Sequence, residues 1–516
     1  MSRAQSLLPE EGSFEDQRGD YLATLDPGTI NNRFLRTRYG MGGAGNLHLD
    51  PWRLWFTRET VRHMVRSDAL PGQMLERLTD FIYGGQIGFR IEPDTSEPTL
   101  NEELQGRFKA WAADKQACDA GGERTFQQLV WQTGLQGFQD GEMFALLRHD
   151  GRCQLVEADR CVSPIGSMSY PEMAGNKAFG VCYDADLKPV GFYFARLTPC
   201  GPSVGAESVK YYPRWSGGLE TVCHVYSTTR ATAHRGYPLL TPIIVESGML
   251  DDLDFATIVK AQQSACVVGV AEQDPRVPAR GPFSMGNETT TTNAAGKSEI
   301  QTDTKAGMVL DLAPGRSFKG FAPPIPSDNH LDHCKYVLKK ISAAQHMPYI
   351  LAMLDANETN LSAWRGSMDA ARETWRRKQC DMGAQLVLPA YRWQVARWLP
   401  ELGRTARRLW AAGTLAKASV IWRGWGYIDP LKDASADEKV LQNTLNSPSS
   451  LLAGRGLDYS DVARQTVKDR GLLIAEACAM ADGLNQQFPA AGISWRDCIF
   501  KSDAPAAATL AKTEEN

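Results

Sequence analysis

The sequence predicts an α+β fold assembled from several parts rather than one compact core. Three observations carry that reading. Amphipathic helical patterns run through the chain as far as Gln139. Short alternating runs bounded by Gly, Pro or Asp fill the stretch from Gly141 to Ser227. Two long helical patterns then enclose a Pro/Gly/Thr-rich insertion and lead into a long basic helix. At 516 residues the chain exceeds a single core, and about two to four domains are expected.

Residues 1–49 are polar and Gly-rich, an extended arm. From Thr57 to Gly84 the pattern TRETVRHMVRSDALPGQMLERLTDFIYG reads as two helices broken at Leu70-Pro71-Gly72, because proline removes a backbone donor. GGQIGFRIEP gives a turn and a strand. Leu104–Asp114 and Thr125–Gln139 are helices, the first placing Phe108, Trp111 and Ala112 on one face. GEMFALLRH, CQLVEADRCVSP, KAFGVCYD, PVGFYFARLTP and TVCHVYS are half-buried antiparallel strands. Helix is expected from Tyr237 to Val268 and again from Asn329 to His346. Between them one strand falls at Gly307–Asp311, and 286–298 (GNETTTTNAAGKS) is a mobile loop tip. An insertion between two long helices has the pattern of a small domain at the end of a helical hairpin.

The second helix breaks at Met347-Pro348, since proline pushes the preceding residue out of helical space. The polar loop DANETNLS follows, with Asn360 or Ser362 placed to start the next helix. SVIWRGWGYIDPLKD reads as strand and turn, the segment after it as a small helical subdomain, and DAPAAATLAKTEEN as a disordered tail.

Composition excludes several classes. No run approaches the ~18 apolar residues of a membrane helix. The N-terminus lacks an apolar signal region. Eleven cysteines contain no C-x-x-C pair and read as reduced, buried small hydrophobes in a cytosol. The net charge of −4 conceals a basic stretch: Leu361–Lys417 carries eleven Lys/Arg against four acids. Its expected form is a solvated helix face with i,i+4 pairs, Arg365 with Asp369 and Glu373 with Arg377. The sharper alternative is a surface for acidic neighbours, DNA phosphates or a sequence-specific DNA site.

Catalytic signals fail on context. Gly40, Gly42 and Gly45 fit G-x-G-x-x-G but lack the flanking strand and helix, and Gly296-Lys297-Ser298 has no leading glycine. His330 and His333 could offer two imidazoles to a metal, yet no third ligand is evident nearby, so they read as a polar helix turn. Asp251, Asp252 and Asp254 read as a solvated face opposite Leu250, Leu253 and Thr257. A metal- or nucleotide-dependent hydrolase built on these clusters is the rival reading. No cofactor or metal is required and no enzyme is expected.

Three blocks carry a family resemblance. Tyr336–Gln379 (YVLKKISAAQHMPYILAMLDANETNLSAWRGSMDAARETWRRKQ) joins helix, Pro348 break, polar loop and long basic helix. Val225–Val268 contains the R-G-x-P turn of Arg235, Gly236 and Pro238, read as opening a helix at its first turn. Trp422–Gln465 carries Trp422, Gly424, Asp429, Pro430, Lys432, Gly456, Asp458 and Val462. Together they resemble the bacteriophage portal proteins of the lambda type, over roughly residues 50–470. The loop departs from the family's D-x-S-x-x-N-Y-S-S-x-R run but keeps Asp355, Asn360, Ser362 and Arg365.

The resemblance implies a non-enzymatic subunit of a ring, usually dodecameric, at a capsid vertex of a virion, assembled in the bacterial host cytoplasm. Its implied partners are the terminase large subunit, major capsid and scaffold proteins, head-completion and tail proteins, and non-specific double-stranded DNA, with no membrane. The implied parts are a wing (50–238 and 385–432), stem helices (239–270 and 327–347), a clip (271–326), a tunnel loop (348–362), a long internal helix (363–384) and a crown (433–500), followed by the tail (501–516). Asp355, Asn357, Glu358 and Asn360 would line the DNA channel.

Overall fold

The computed structural model describes residues 51–84, 88–163, 176–198, 201–203, 208–228, 230–266, 269–273, 276, 288–292, 298–302, 316–320, 328–355, 357, 360–426, 429–455, 457, 459–489 and 492–499. The N-terminal arm, the tail, the strand expected at Gly307–Asp311, Glu358, Gly456 and Asp458 lie outside them. The chain divides into two compact units, Pro242–Tyr349 and the remainder.

The larger unit begins with α1 (Pro51–Ser67) and α2 (Pro71–Tyr83), parted at Leu70 as expected. Helix α1 is already present at Pro51, six residues before the predicted Thr57. Strand β1 (Phe89–Pro93) leads to α3 (Pro98–Ala113), which likewise starts ahead of the predicted Leu104 at a proline. A short α4 (Lys115–Cys118) precedes α5 (Phe126–Asp140). Thr125 and Gln128 form a capping box that satisfies two N-terminal donors of α5.

Strands β2 (Glu142–Leu147), β3 (Cys153–Val156), β4 (Asn176–Ala178), β5 (Val181–Tyr183), β6 (Pro189–Thr198), β7 (Gly201–Ser203), β8 (Val209–Pro213), β9 (Trp215–Ser216), β10 (Leu219–Glu220) and β11 (Val222–Tyr226) follow. One sheet has the order β11-β2-β3, and another β4-β5-β6-β7 with β8 also on β6. All these pairings are antiparallel. Phe144, Val156, Cys161, Val181, Phe192, Phe194 and Val222 form a buried cluster.

The smaller unit contains α6 (Ile244–Cys266) and α7 (Asp328–Ala344). Between them β12 (Gly269–Gln273) pairs with β15 (Arg316–Gly320), and β13 (Glu288–Thr292) with β14 (Ser298–Thr302). The loop expected over 286–298 is therefore partly strand: four β-branched threonines, Thr289–Thr292, favour extended backbone over a coil. Helix α7 stops at Ala344. His346 at φ 53° takes the left-handed position, with Met347 N–H bonded to Ser342 O and His346 N–H to Ala343 O. That bond pair is a Schellman ending, so the helix has closed before Pro348 arrives.

Beyond α8 (Tyr349–Met353), α9 (Leu361–Met382) runs into a π-helical turn (Gly383–Val387) and on into α10 (Leu388–Trp398). The Leu388 N–H bonds to Gly383 O, an i→i−5 bond. The internal helix expected to end at residue 384 therefore continues to Trp398. Helix α11 (Arg404–Ala411) precedes β16 (Ala418–Trp422), which pairs with β1. Helices α12 (Pro430–Gln442), α13 (Pro448–Ala453), α14 (Tyr459–Gln487) and α15 (Trp495–Ile499) complete the unit.

Candidate functional site

A dense polar assembly centres on Glu142, the first residue of β2 and fully buried. Arg235 Nε donates to Glu142 Oε1 at 2.5 Å and Arg58 Nη2 to the same oxygen at 2.6 Å. Gly236 N donates to Oε2 at 3.1 Å, and His224 Nε2 lies 2.8 Å from it. Arg235 spends its remaining donors on the carbonyls of Ala158, Cys161 and Phe179. Arg58 Nε donates to Asp140 O, and Arg62 bridges Asp140 and Asp159.

The electrostatics follow from that packing. Burial would raise the Glu142 carboxyl, but Arg235, Arg58 and the His224 hydrogen bond hold it well below the usual carboxylate range. Burial pushes His224 down to about 4, against the pull of Glu142. Its ring stacks between Phe144 at 4.3 Å and Tyr226 at 3.9 Å, and Nδ1 is buried without a partner. A proton there would be unpaired, so the imidazole stays neutral and donates from Nε2. Every charge in this assembly is answered by a fixed partner. It builds a clasp across α1, β2, β11 and the 233–237 turn.

The R-G-x-P residues thus have assignable duties, although not the predicted one. Arg235 and Gly236 belong to the clasp. Pro238 accepts from Thr241 N–H and Oγ1, and Leu239 N–H donates to Phe138 O. The helix begins at Ile244, so Pro238 is not in its first turn; Pro242 already interrupts the backbone donors between them.

Around the loop, Asn360 is the N-cap of α9, its Oδ1 accepting from Ala363 N at 2.7 Å. Asp355 Oδ1 accepts from Asn357 N at 3.0 Å, an Asx turn. Pro348 precedes α8, whose Leu351 and Ala352 carbonyls accept from Arg77. Arg365 pairs with Asp433 rather than Asp369. Asp429 caps α12 with Pro430 in its first turn. Trp422 packs on Phe89 at 5.4 Å and Tyr83 at 5.8 Å. A side chain on Gly424 would meet the Gly454 carbonyl at 2.1 Å.

The basic stretch is only in part a solvated face. Two of its acids pair at i,i+3, Asp369 with Arg372 and Glu373 with Arg376, not in the expected i,i+4 sets, and Glu401 pairs with Arg107. Arg372 and Arg376 lie over the Trp425 ring, and burial lowers the Lys378 ammonium beside Phe138. Cys118, Cys153, Cys161, Cys182 and Cys223 are buried as expected; Cys334, Cys380, Cys478 and Cys498 are not. Asp251, Asp252 and Asp254 are exposed. His330 meets Asp254 at 3.9 Å, so the acidic and histidine clusters adjoin.

Sequence reasoning missed Glu142, Arg58 and His224. The available signal was a carboxylate opening the otherwise apolar run EMFALL, which a strand buried on both faces must pair.

Comparison with known proteins matches residues 49–379 to the model of the family described as phage portal protein, lambda family. A protein of Halomonas phage phiHAP-1 named "Probable portal protein" is 22% identical over 428 residues, covering 80% of each chain. Among solved structures, a chain of the neck of an empty gene transfer agent particle aligns at TM-score 0.43 and 16% identity, covering 78% of this chain and 95% of that one. A chain of the virion of the native particle aligns at 0.40 and 14%, covering 78% and 93%.

Proposed function

This chain belongs to the lambda family of phage portal proteins, and from that premise we propose that it forms the ring through which double-stranded DNA enters and leaves a phage capsid. The observation that carries the reading is the family match over residues 49–379, which includes the clasp, the hairpin and the loop before α9. In this reading the chain serves as a structural part of the virion and not as an enzyme.

In this reading the ring is dodecameric, sits at one capsid vertex, nucleates assembly with capsid and scaffold proteins, and docks the terminase and later the head-completion proteins. The compact unit Pro242–Tyr349 supports its assignment as stem and clip, with the wing and crown drawn from the remainder. Ring formation is supported by Phe255 and Ile258 on α6 and Leu331 and Tyr336 on α7, all large apolar side chains exposed in the single chain. Heterologous packing of neighbouring copies would cover them, closing a ring when the rotation per copy divides a full turn. The polar loop around Asp355, Asn357, Glu358 and Asn360 would line the channel. Among the described residues no helix is long and apolar enough to cross a membrane.

Negative-stain imaging of the purified chain tests the proposal. Rings with a central channel are expected, and class averages should show twelve-fold symmetry. Only monomers, across a range of salt and protein concentrations, would overturn it.

A further inference from the structure

Two helices of the smaller unit bring three donors of different chemistry around one point. His330 and Cys334 stand one turn apart on α7, and Asp254 reaches them from α6. Residues four apart on a helix share a face, so both can serve one ligand. Cys334 Sγ is 3.6 Å from His330 Nε2 and 3.9 Å from Asp254 Oδ1. His330 Nε2 is 3.9 Å from that same oxygen.

Both sulfur contacts are within reach of a weak thiol hydrogen bond, so without a metal Cys334 can hydrogen-bond with Asp254 or His330. A nitrogen and an oxygen 3.9 Å apart are too distant for a direct hydrogen bond. Ligands of one tetrahedral zinc, with bonds of about 2.0–2.3 Å, stand about 3.3–3.6 Å from one another. The three donors therefore need to close by only a few tenths of an ångström. His330 and Cys334 are partly buried and Asp254 is exposed, which leaves one side open to water.

We propose that Asp254, His330 and Cys334 form a site for a thiophilic divalent cation of the zinc class, completed by water, that staples α6 to α7. A thiolate–imidazole–carboxylate set favours zinc-like ions over magnesium or calcium, which prefer all-oxygen shells. Burial and the neighbouring Asp254 carboxylate raise the Cys334 thiol, so the metal-free site keeps its proton; binding releases it. The cation would tie together two segments separated by more than seventy residues of sequence and would stabilise the unit by linkage. The inference stands on this geometry and does not depend on the portal reading.

Reduced full-length protein titrated with Co²⁺ is the test. One ion per chain should bind, with a thiolate-to-cobalt charge-transfer band and the visible bands of tetrahedral cobalt; Zn²⁺ should displace both. Cys334→Ser should abolish the charge-transfer band, and Asp254→Asn and His330→Gln should each weaken binding roughly tenfold or more, about 1.4 kcal/mol. Cys380→Ser, which removes an exposed thiol on a different helix, should change nothing. Circular dichroism establishes that the variants remain folded. The absence of a sulfur band, its survival in Cys334→Ser, or an equal Zn²⁺-induced melting shift in Cys334→Ser and the parent would each overturn the site.

Discussion

Gly236 lies backbone to backbone against Gly141: a β-carbon built on Gly236 would stand 2.0 Å from the Gly141 carbonyl oxygen. The approach is reciprocal, since one on Gly141 would meet the Tyr237 backbone at 2.3 Å, and Gly141 sits at φ 88°. This contact lets the Gly236 N–H reach Glu142. Gly236→Ala must push apart the 233–237 turn and the α5–β2 junction. A loss on the order of 3 kcal/mol is expected in urea denaturation. Gly106→Ala, on an exposed turn of α3 with nothing within 4 Å, should be neutral or stabilising by about 0.5–1 kcal/mol.

Glu142→Gln removes the anion bonded to both Arg58 and Arg235 while preserving shape. It leaves the buried Arg235 facing a neutral amide and Arg58 with its more distant pair to Asp159, so stability should fall by about 3–5 kcal/mol. Because the clasp is enclosed, added salt should rescue little of that loss. Equilibrium unfolding at low and high ionic strength measures both effects.

Stability should decline as pH falls from 6.5 towards 4. The unfolded chain protonates His224 near its ordinary 6.5, whereas the folded chain, holding it near 4, does not. The neutral ring therefore contributes fully above 6.5 and its contribution is lost as pH falls to about 4. Glu142, held low by Arg235 and Arg58, adds loss of the same sign below the carboxylate range, and His234, lowered by burial, adds a smaller share. Melting temperature against pH should show this slope, and His224→Gln, which keeps a donor for Glu142 but cannot titrate, should flatten it.

The channel-loop assignment makes a separate demand. Carboxylates facing phosphates oppose tight binding and keep DNA sliding. Replacing Asp355 and Glu358 together by Lys should slow packaging and make its rate salt-sensitive, while rings still assemble. An in vitro packaging assay across ionic strength, paired with imaging, reads both; an unchanged rate and salt dependence would remove the loop from the channel.

Helices and strands with strong local patterns were legible from sequence: the break before Pro71, the strands EMFALL and PVGFYFARLT, and the Asn360 cap. The α3 start was misplaced because proline reads as a helix breaker, although Pro98 suits the first helical turn it occupies. The Thr-rich run at 288–292 looked like coil because composition hid its pairing with 298–302. Arg235 and Gly236 were found through family pattern, but their partner Glu142 is 93 residues away from Arg235, beyond the reach of any local spacing rule. In the Asp254–His330–Cys334 grouping Asp254 belongs to another helix, beyond the same reach, whereas Cys334 stands four residues after His330 and was passed over for His333.

The π turn at Gly383–Val387 fixes how the chain can change length. Each residue of a helix turns it by about 100°, so one surplus residue reorients everything upstream relative to everything downstream. Downstream, Gln394 and Trp393 grip the β2–β3 hairpin through Gly151 O and Arg148 O. Upstream, Gln379 holds Ile82 O. Within the turn, Gln385 bonds both backbone groups of Tyr226. Deleting one residue there would straighten the helix yet rotate one set of grips away from its target. Descendants of this gene should therefore tolerate insertions and deletions in the surface loops far better than a single-codon change between 383 and 387.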